Sequence, residues 1–311
     1  MAVFSLRDPS DISRGIESTP VGLQNQEDLE DVLDFVYVKC GIPGPVHLKE
    51  EFLERIKGCD CVDVVSCGKR CKCISRFGPC YSDSGLLAME DGQGSHHKPV
   101  YECNSNCKCS KECGNRVVQH GVKVKLKIFR SESKGFGLRC QEPIPKNTFV
   151  CEYAGEYLTY EIAKSRTKAL MNNPDSHYYI LVLKEHLASG KVICTYFDPT
   201  YVGNVGRFIN HSCDPNLFMV PVRIHNNTAR LALFAARDIK ADEELSFHYG
   251  GVLQDNGPAK SKISNVSSTF ESDDFSLDSI NGQNIDLIKQ CHCGACNCIG
   301  YLPFDKDLFD T

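Results

Sequence analysis

The sequence predicts a mostly β core flanked by small modules built on cysteine, and three observations carry that prediction. The 311 residues include 19 cysteines, ten of them between Cys59 and Cys113 and four more between Cys291 and Cys298. The stretch between those clusters holds short apolar runs that alternate or end in turn signals, as strands do. Only one segment there, Thr159 to Asn172, combines length with a helical interior free of Gly and Pro. At this length the chain supports one sizeable core and a smaller appended unit.

Residues 1–57 are mixed in composition, with an acidic run from Glu27 to Asp34 and a Pro/Gly break at Gly41 to Pro45. They carry no chemical motif, and no role is assigned to them. Residues 58–116 are cysteine-rich and too polar to form an ordinary apolar core, so covalent or coordinate bonds must hold them. Within residues 117–250, Val122, Val124, Leu126 and Ile128 alternate, and Phe149–Tyr153, Tyr179–Leu183 and Leu231–Phe234 read as further strands. Lys134-Gly135, Pro145-Lys146-Asn147 and Ser189-Gly190 mark the turns. Residues 251–290 are rich in Ser, Asp, Asn and Gly and read as a mobile insertion. Residues 291–311 return to cysteine and end in an apolar tail, Ile299 to Phe304, that has to pack on something.

A formal charge of −5 argues against broad adhesion to nucleic acid, and the cysteine cluster lacks the interleaved basic stripe that sequence-specific binding needs. A basic peptide suits it better as a partner. The opening residues lack the cationic and apolar regions of a secretory signal, and no run of about 18 apolar residues predicts a membrane span. Without a secretory signal, the cysteines favour metal over a disulfide scaffold.

The first cluster runs Cys59, Cys61, Cys67, Cys71, Cys73, Cys80, Cys103, Cys107, Cys109 and Cys113. Its close CxC pairs suit thiolates shared between neighbouring ions better than they suit disulfides. Nine thiolates satisfy three tetrahedral zinc ions when three sulfurs bridge two ions and six bind one. Cys80 is the outlier in spacing and is left over. Such sites leave no open position, so their role is structural. At the other end, Cys291, Cys293 and Cys298 supply three ligands for a fourth zinc, with Cys213 as the candidate fourth and Cys296 as the alternative. Cys40, Cys140, Cys151 and Cys194 read as isolated small thiols.

The most specific stretch is Arg207-Phe208-Ile209-Asn210-His211-Ser212-Cys213-Asp214-Pro215-Asn216. It resembles the NHSC(D/E)PN signature of SET-domain lysine methyltransferases. In the family's order, the first cysteine cluster resembles a pre-SET module, Lys134-Gly135-Phe136-Gly137-Leu138 a GxG cofactor loop, Glu152-Tyr153-Ala154-Gly155-Glu156 a YxG strand, and Cys291 to Cys298 a post-SET module. The runs Val150–Glu156, Asp198–Tyr201 and Leu231–Ala236 are most similar to the branch in which a methyltransferase part is fused to a mariner transposase; no transposase sequence follows here.

The resemblance implies a SET-domain β-fold in which the segment carrying Asn210 to Asn216 is threaded by Glu244 to Tyr249 in a knot-like arrangement. It implies a nuclear, chromatin-associated enzyme that moves methyl groups from S-adenosylmethionine to a lysine of a histone tail or nucleosome. Arg130, Lys134, Gly135, Phe136, Gly137, Tyr179, Arg207, Asn210, His211 and Phe304 would hold the cofactor. Tyr153, Tyr179, Phe247 and Tyr249 would form the lysine channel, with Tyr249 orienting the amine. Phe247 lacks the hydroxyl that would hold back an amine or a water, which predicts di- or trimethylation.

Three residues depart from the family pattern. His248 stands where an acidic residue usually precedes the channel tyrosine, and a weakly active or inactive chromatin adaptor is the alternative that this allows. Phe136 replaces the commoner Trp. Leu183-Lys184 stands where some members that act on the repressive histone mark carry an acidic residue for the substrate, which leaves the target lysine open.

Overall fold

The computed structural model describes residues 10–45, 52–62, 67–75, 78–88, 99–171, 177–187, 189–250 and 289–309. The predicted mobile insertion therefore lies almost wholly outside the described residues. Strands dominate, as several short sheets contributing to one main core.

The N-terminal region, which carried no motif, supplies three strands to the catalytic core. β1 (Val21–Leu23) pairs in parallel with β5 (Leu126–Ser131), which pairs antiparallel with β6 (Gly135–Cys140). β2 (Val36–Tyr37) pairs with β11 (Val202–Gly203), and β3 (Ile42–Pro43) with β8 (Glu156–Leu158). The acidic run between β1 and β2 forms a single helical turn, α1 (Leu29–Val32). These strands are only two or three residues long, below what alternation in a sequence can reveal.

The alternating run at Val122 to Ile128 enters β5, whose Leu126 and Ile128 are fully buried. One sheet, in the order β3, β8, β10 (Val192–Asp198), β9 (Leu181–His186), ends on β9 as its edge strand. A second runs β4 (Val100–Tyr101), β13 (Leu217–Arg223), β14 (Arg230–Ala235), β7 (Phe149–Glu152). The predicted helix is present as α2 (Tyr160–Met171). Among the described residues, no helix is long and apolar enough to cross a membrane.

The threading also takes the expected form. β12 (Asn210–His211) lies parallel to β15 (Ser246–Phe247), with Asn210 opposite Ser246 and His211 opposite Phe247. Asn216 pins the crossing: its Nδ2 donates to the Glu244 carbonyl at 2.8 Å and its Oδ1 accepts from the Ser246 amide at 2.9 Å. The cysteine-rich module is joined to this core through buried Glu102, which accepts from the amides of Val117 (2.8 Å) and Val118 (2.6 Å) and from the Tyr81 hydroxyl (2.8 Å).

Candidate active site and its cysteine flanks

A cavity of about 1250 Å³ opens where the motif strand, the GxG loop, the acidic N-terminal turn and the C-terminal tail meet. Arg130, Lys134, Gly135, Phe136, Tyr153, Tyr179, Arg207, Asn210, Tyr249 and Phe304 all line it. His211 and Phe247, 4% and 1% exposed, lie behind the wall and shape it from within.

The two loop glycines differ in their reasons. Gly135 has φ +71°, and a Cβ there would meet nothing nearer than His177 at 3.8 Å, so its backbone stays open to a ligand. A Cβ on Gly137 would lie 2.7 Å from the Phe129 ring and 3.2 Å from Asn210 Nδ2, so the crowding there comes from the protein itself. Lys134 Nζ lies 2.5 Å from Glu244 Oε2, while Asn210 Nδ2 donates to Glu244 Oε1 at 3.0 Å and to the Phe136 carbonyl at 3.1 Å. Glu244 therefore ties the loop to the motif strand.

Arg130 stacks on Phe136 with its guanidinium carbon 4.6 Å from the ring centre. Its Nε lies 2.7 Å from Asp28 and its Nη2 2.5 Å from Asp31, both from the acidic turn. Arg207 sits 4.5 Å from the ring centres of both Tyr179 and Phe35. Asp28, Asp31 and Phe35 are site neighbours that sequence reading missed; the acidic run was the one visible signal.

The aromatic channel is tightly keyed. Tyr153 donates its hydroxyl to the Tyr179 carbonyl at 2.6 Å, and Tyr249 donates to the Ile209 carbonyl at 3.1 Å. Phe247 packs 5.8 Å from Tyr153 and 4.9 Å from Tyr249, centre to centre. Tyr178 also borders the cavity, with its ring 5.2 Å from Phe309. Burial raises both channel phenols above the ordinary tyrosine range, so they act as hydroxyls and not as phenolates. Burial and neighbouring His248 push the His211 imidazole down to about 3, and its neutral Nδ1 accepts from the Tyr249 amide at 3.2 Å. His248 packs 4.8 Å from His211 and its own Nδ1 accepts from the Gly250 amide at 3.2 Å, a backbone contact in place of an acidic one.

The cysteines gather as the spacing suggested. Sulfurs within 4.8 Å of one another form the groups Cys59, Cys67, Cys71, Cys103; Cys59, Cys73, Cys103, Cys107; Cys67, Cys103, Cys109, Cys113; and Cys213, Cys291, Cys293, Cys298. Cys61 touches Cys59, Cys67 and Cys71. Cys80 lies in a separate apolar cluster, and Cys296 is exposed. All-thiol groups at this separation could hold metal. Buried Arg116 reaches into the first cluster, donating to Cys109 Sγ at 3.5 Å and to the Cys103 and Asn104 carbonyls at 3.0 Å each.

Comparison with known proteins decides the family. The SET domain matches residues 135–250 and the Pre-SET motif residues 13–116. Mouse histone-lysine N-methyltransferase SETMAR is 39% identical over 302 residues, covering 96% of this chain and 90% of its own. The chain belongs to the SET-domain histone-lysine N-methyltransferases. Zebrafish SUV39H1-A, another of the family, is 35% identical over 254 residues, or 79% of this chain and 57% of its own. The crystal structure of the human SETMAR methyltransferase domain superposes with a TM-score of 0.74 at 35% identity, covering 95% of this chain and 98% of that one. KRYPTONITE, solved with mCHH DNA, an H3(1-15) peptide and SAH, gives a TM-score of 0.66 at 28% identity over 97% of this chain and 55% of its own. The Pre-SET match begins at residue 13, so it takes in the acidic turn and the first strands.

Proposed function

We propose that this SET-family protein methylates the side-chain amine of a histone-tail lysine at the cavity just described, as a nuclear, chromatin-associated enzyme. The observation that carries the reading is the convergence of Phe136, Tyr153, Tyr179, Asn210 and Tyr249 from five separated segments on one cavity. S-adenosylmethionine fits the open backbone at Gly135, the Phe136 face and the Arg207–Tyr179 stack; when bound, it supplies an electrophilic methyl on a sulfonium. Methyl transfer needs a neutral amine, held in line.

The channel favours that form. Burial lowers the Lys289 ammonium, at the cavity's rim, below its ordinary range, which supports a site that disfavours a charged amine. The phenols of Tyr153 and Tyr249 stay protonated, so the substrate proton leaves to water and the two hydroxyls orient the amine. Fixed dipoles of this kind need no reorganisation during transfer. Phe247 offers no hydroxyl, which supports di- or trimethylation.

Residues 58–116 would carry three zinc ions held by Cys59, Cys61, Cys67, Cys71, Cys73, Cys103, Cys107, Cys109 and Cys113, as structural sites. Residues 291–311 would carry a fourth, completed by Cys213 from the catalytic unit at 117–250. The test is mass spectrometry of core histones after incubation with zinc-replete protein and labelled cofactor. Methylated lysine in the wild type and its loss in Tyr249→Phe support the reading; folded protein that binds no cofactor overturns it.

A further inference from the structure

We propose that Lys184 is a positioning residue that fastens the C-terminal wall of the cavity, its charge committed inside the chain and not to a substrate. Lys184 lies on edge strand β9, opposite Cys194 of β10. Its Nζ is 3.0 Å from Asp305 Oδ2 and 3.2 Å from Asp307 Oδ2. The same tail supplies Tyr301, Pro303, Phe304 and Asp305 to the cavity lining.

The tail is anchored at both ends by other means. At its start, the Cys291 group and the bridge between Gln290 and Tyr301 hold it. At its end, Leu308 is 1% exposed in a cluster with Leu158, Ala163, Ile180 and Val182. Lys184 grips the span between those anchors, which is the part that closes over the cavity. One ammonium facing two carboxylates leaves the group with a net negative charge, so β9 does not repel a basic peptide. The two carboxylates also raise the Lys184 ammonium well above its ordinary range, against burial, so the grip persists at any physiological pH. Without Lys184, the Asp305 side chain, 14% exposed, would lose a partner in a site with little water and the span would swing outward.

This explains how Leu183-Lys184 can stand where the resemblance implies an acidic substrate contact in some family members. In this chain Asp305 and Asp307 bring the acidic groups to β9 from the tail, and Lys184 is what brings them there.

The experiment is hydrogen exchange of the zinc-loaded full chain, comparing wild type, Lys184→Ala, Lys184→Asp and the charge swap Lys184→Asp with Asp305→Lys. Exchange in residues 302–307 should rise about tenfold in both single variants, with β13 and β14 unchanged, and the swap should recover most of the protection. In steady-state kinetics on a histone peptide, KM should rise several-fold more than kcat falls, and the swap should restore it. Unchanged tail protection in Lys184→Ala overturns the proposal, as does a swap that restores nothing. A KM change that tracks peptide charge while the tail stays protected would place Lys184 against the substrate instead and also overturn it. The kinetic arm rests on the methyltransferase reading and the exchange arm does not: an inactive wild type with a Lys184-dependent tail would sink that reading and leave this one standing.

Discussion

The cysteine groups at the two ends of the molecule share a ligand type but differ in what surrounds them. In the first cluster, Cys59, Cys67, Cys71, Cys103, Cys109 and Cys113 are buried, and the groups share members. Its sulfurs receive donors from fixed positions: the Asn104 amide reaches Cys107 Sγ at 3.1 Å and Arg116 reaches Cys109. In the C-terminal group only Cys291 is buried, no sulfur is shared with another group, and Cys213 comes from the catalytic motif itself. The first is a small core made of sulfur, remote from the cavity. The second is a clasp whose next residues, Ile299 to Phe304, are cavity wall. The same chemistry would thus serve folding at one end and site assembly at the other.

That contrast is easiest to break at Cys103, which belongs to every group in the first cluster. Cys103→Ser should lose most of the cluster's zinc, and because structural zinc supplies on the order of 10 kcal/mol of folding free energy, the module should fail to fold. Elemental analysis with circular dichroism would check this. Cys80→Ser, by contrast, should keep every zinc.

Cys213→Ser should separate the two ends. One zinc equivalent should disappear and the global unfolding transition should persist, while the cofactor dissociation constant rises at least about tenfold as the wall loosens. Titration calorimetry beside elemental analysis would measure both; loss of the first cluster's zinc as well would show that the ends are not independent.

Arg116→Met sharpens the comparison further. Three divalent ions on nine thiolates would leave a net negative charge, and Arg116 is a buried cation in direct contact with that cluster. Zinc release to a chromogenic chelator should quicken about tenfold from the first cluster and not from the C-terminal group. Equal release from both would remove the distinction.

The smallest effect belongs to the threaded segment that both ends flank. Burial would raise the Glu243 carboxyl, but donation from Arg237 and Asn216 and from the Lys240 amide holds it down at about 2. A depressed carboxylate supports folding fully above its unfolded pKa, about 4.3, and that support is lost as pH falls toward 2. Glu243→Gln should therefore lower stability by less than about 1 kcal/mol at pH 7 and by nothing near pH 2, read from urea melts at the two pH values.

Much of this organisation could be read in the sequence because it depends on short-range spacing. The CxC pairs, the motif from Arg207 to Asn216, and the glycine pair at 135 and 137 each declare their chemistry within a few residues. The pairing of Cys213 with a group some eighty residues later was the limit of that reading, reached by counting ligands. Asp28, Asp31 and Phe35 lay beyond it: they meet Arg130 and Arg207 only because β1 and β2 pair in parallel with distant strands, and two-residue strands leave no periodic trace. Tyr179 and Tyr178 show the same limit at a finer scale, since both border the cavity and spacing alone does not tell which of the two meets Arg207. Packing against Phe309 on one side and Arg207 on the other separates the two.

The most direct test of the central claim is transfer of labelled methyl from S-adenosylmethionine to core histones by the zinc-replete protein, with the modified residue identified by mass spectrometry. The account predicts di- or trimethylated lysine, lost in Tyr249→Phe and shifted toward the monomethyl product in Phe247→Tyr. Folded, cofactor-binding protein that transfers nothing to histones or nucleosomes would contradict it.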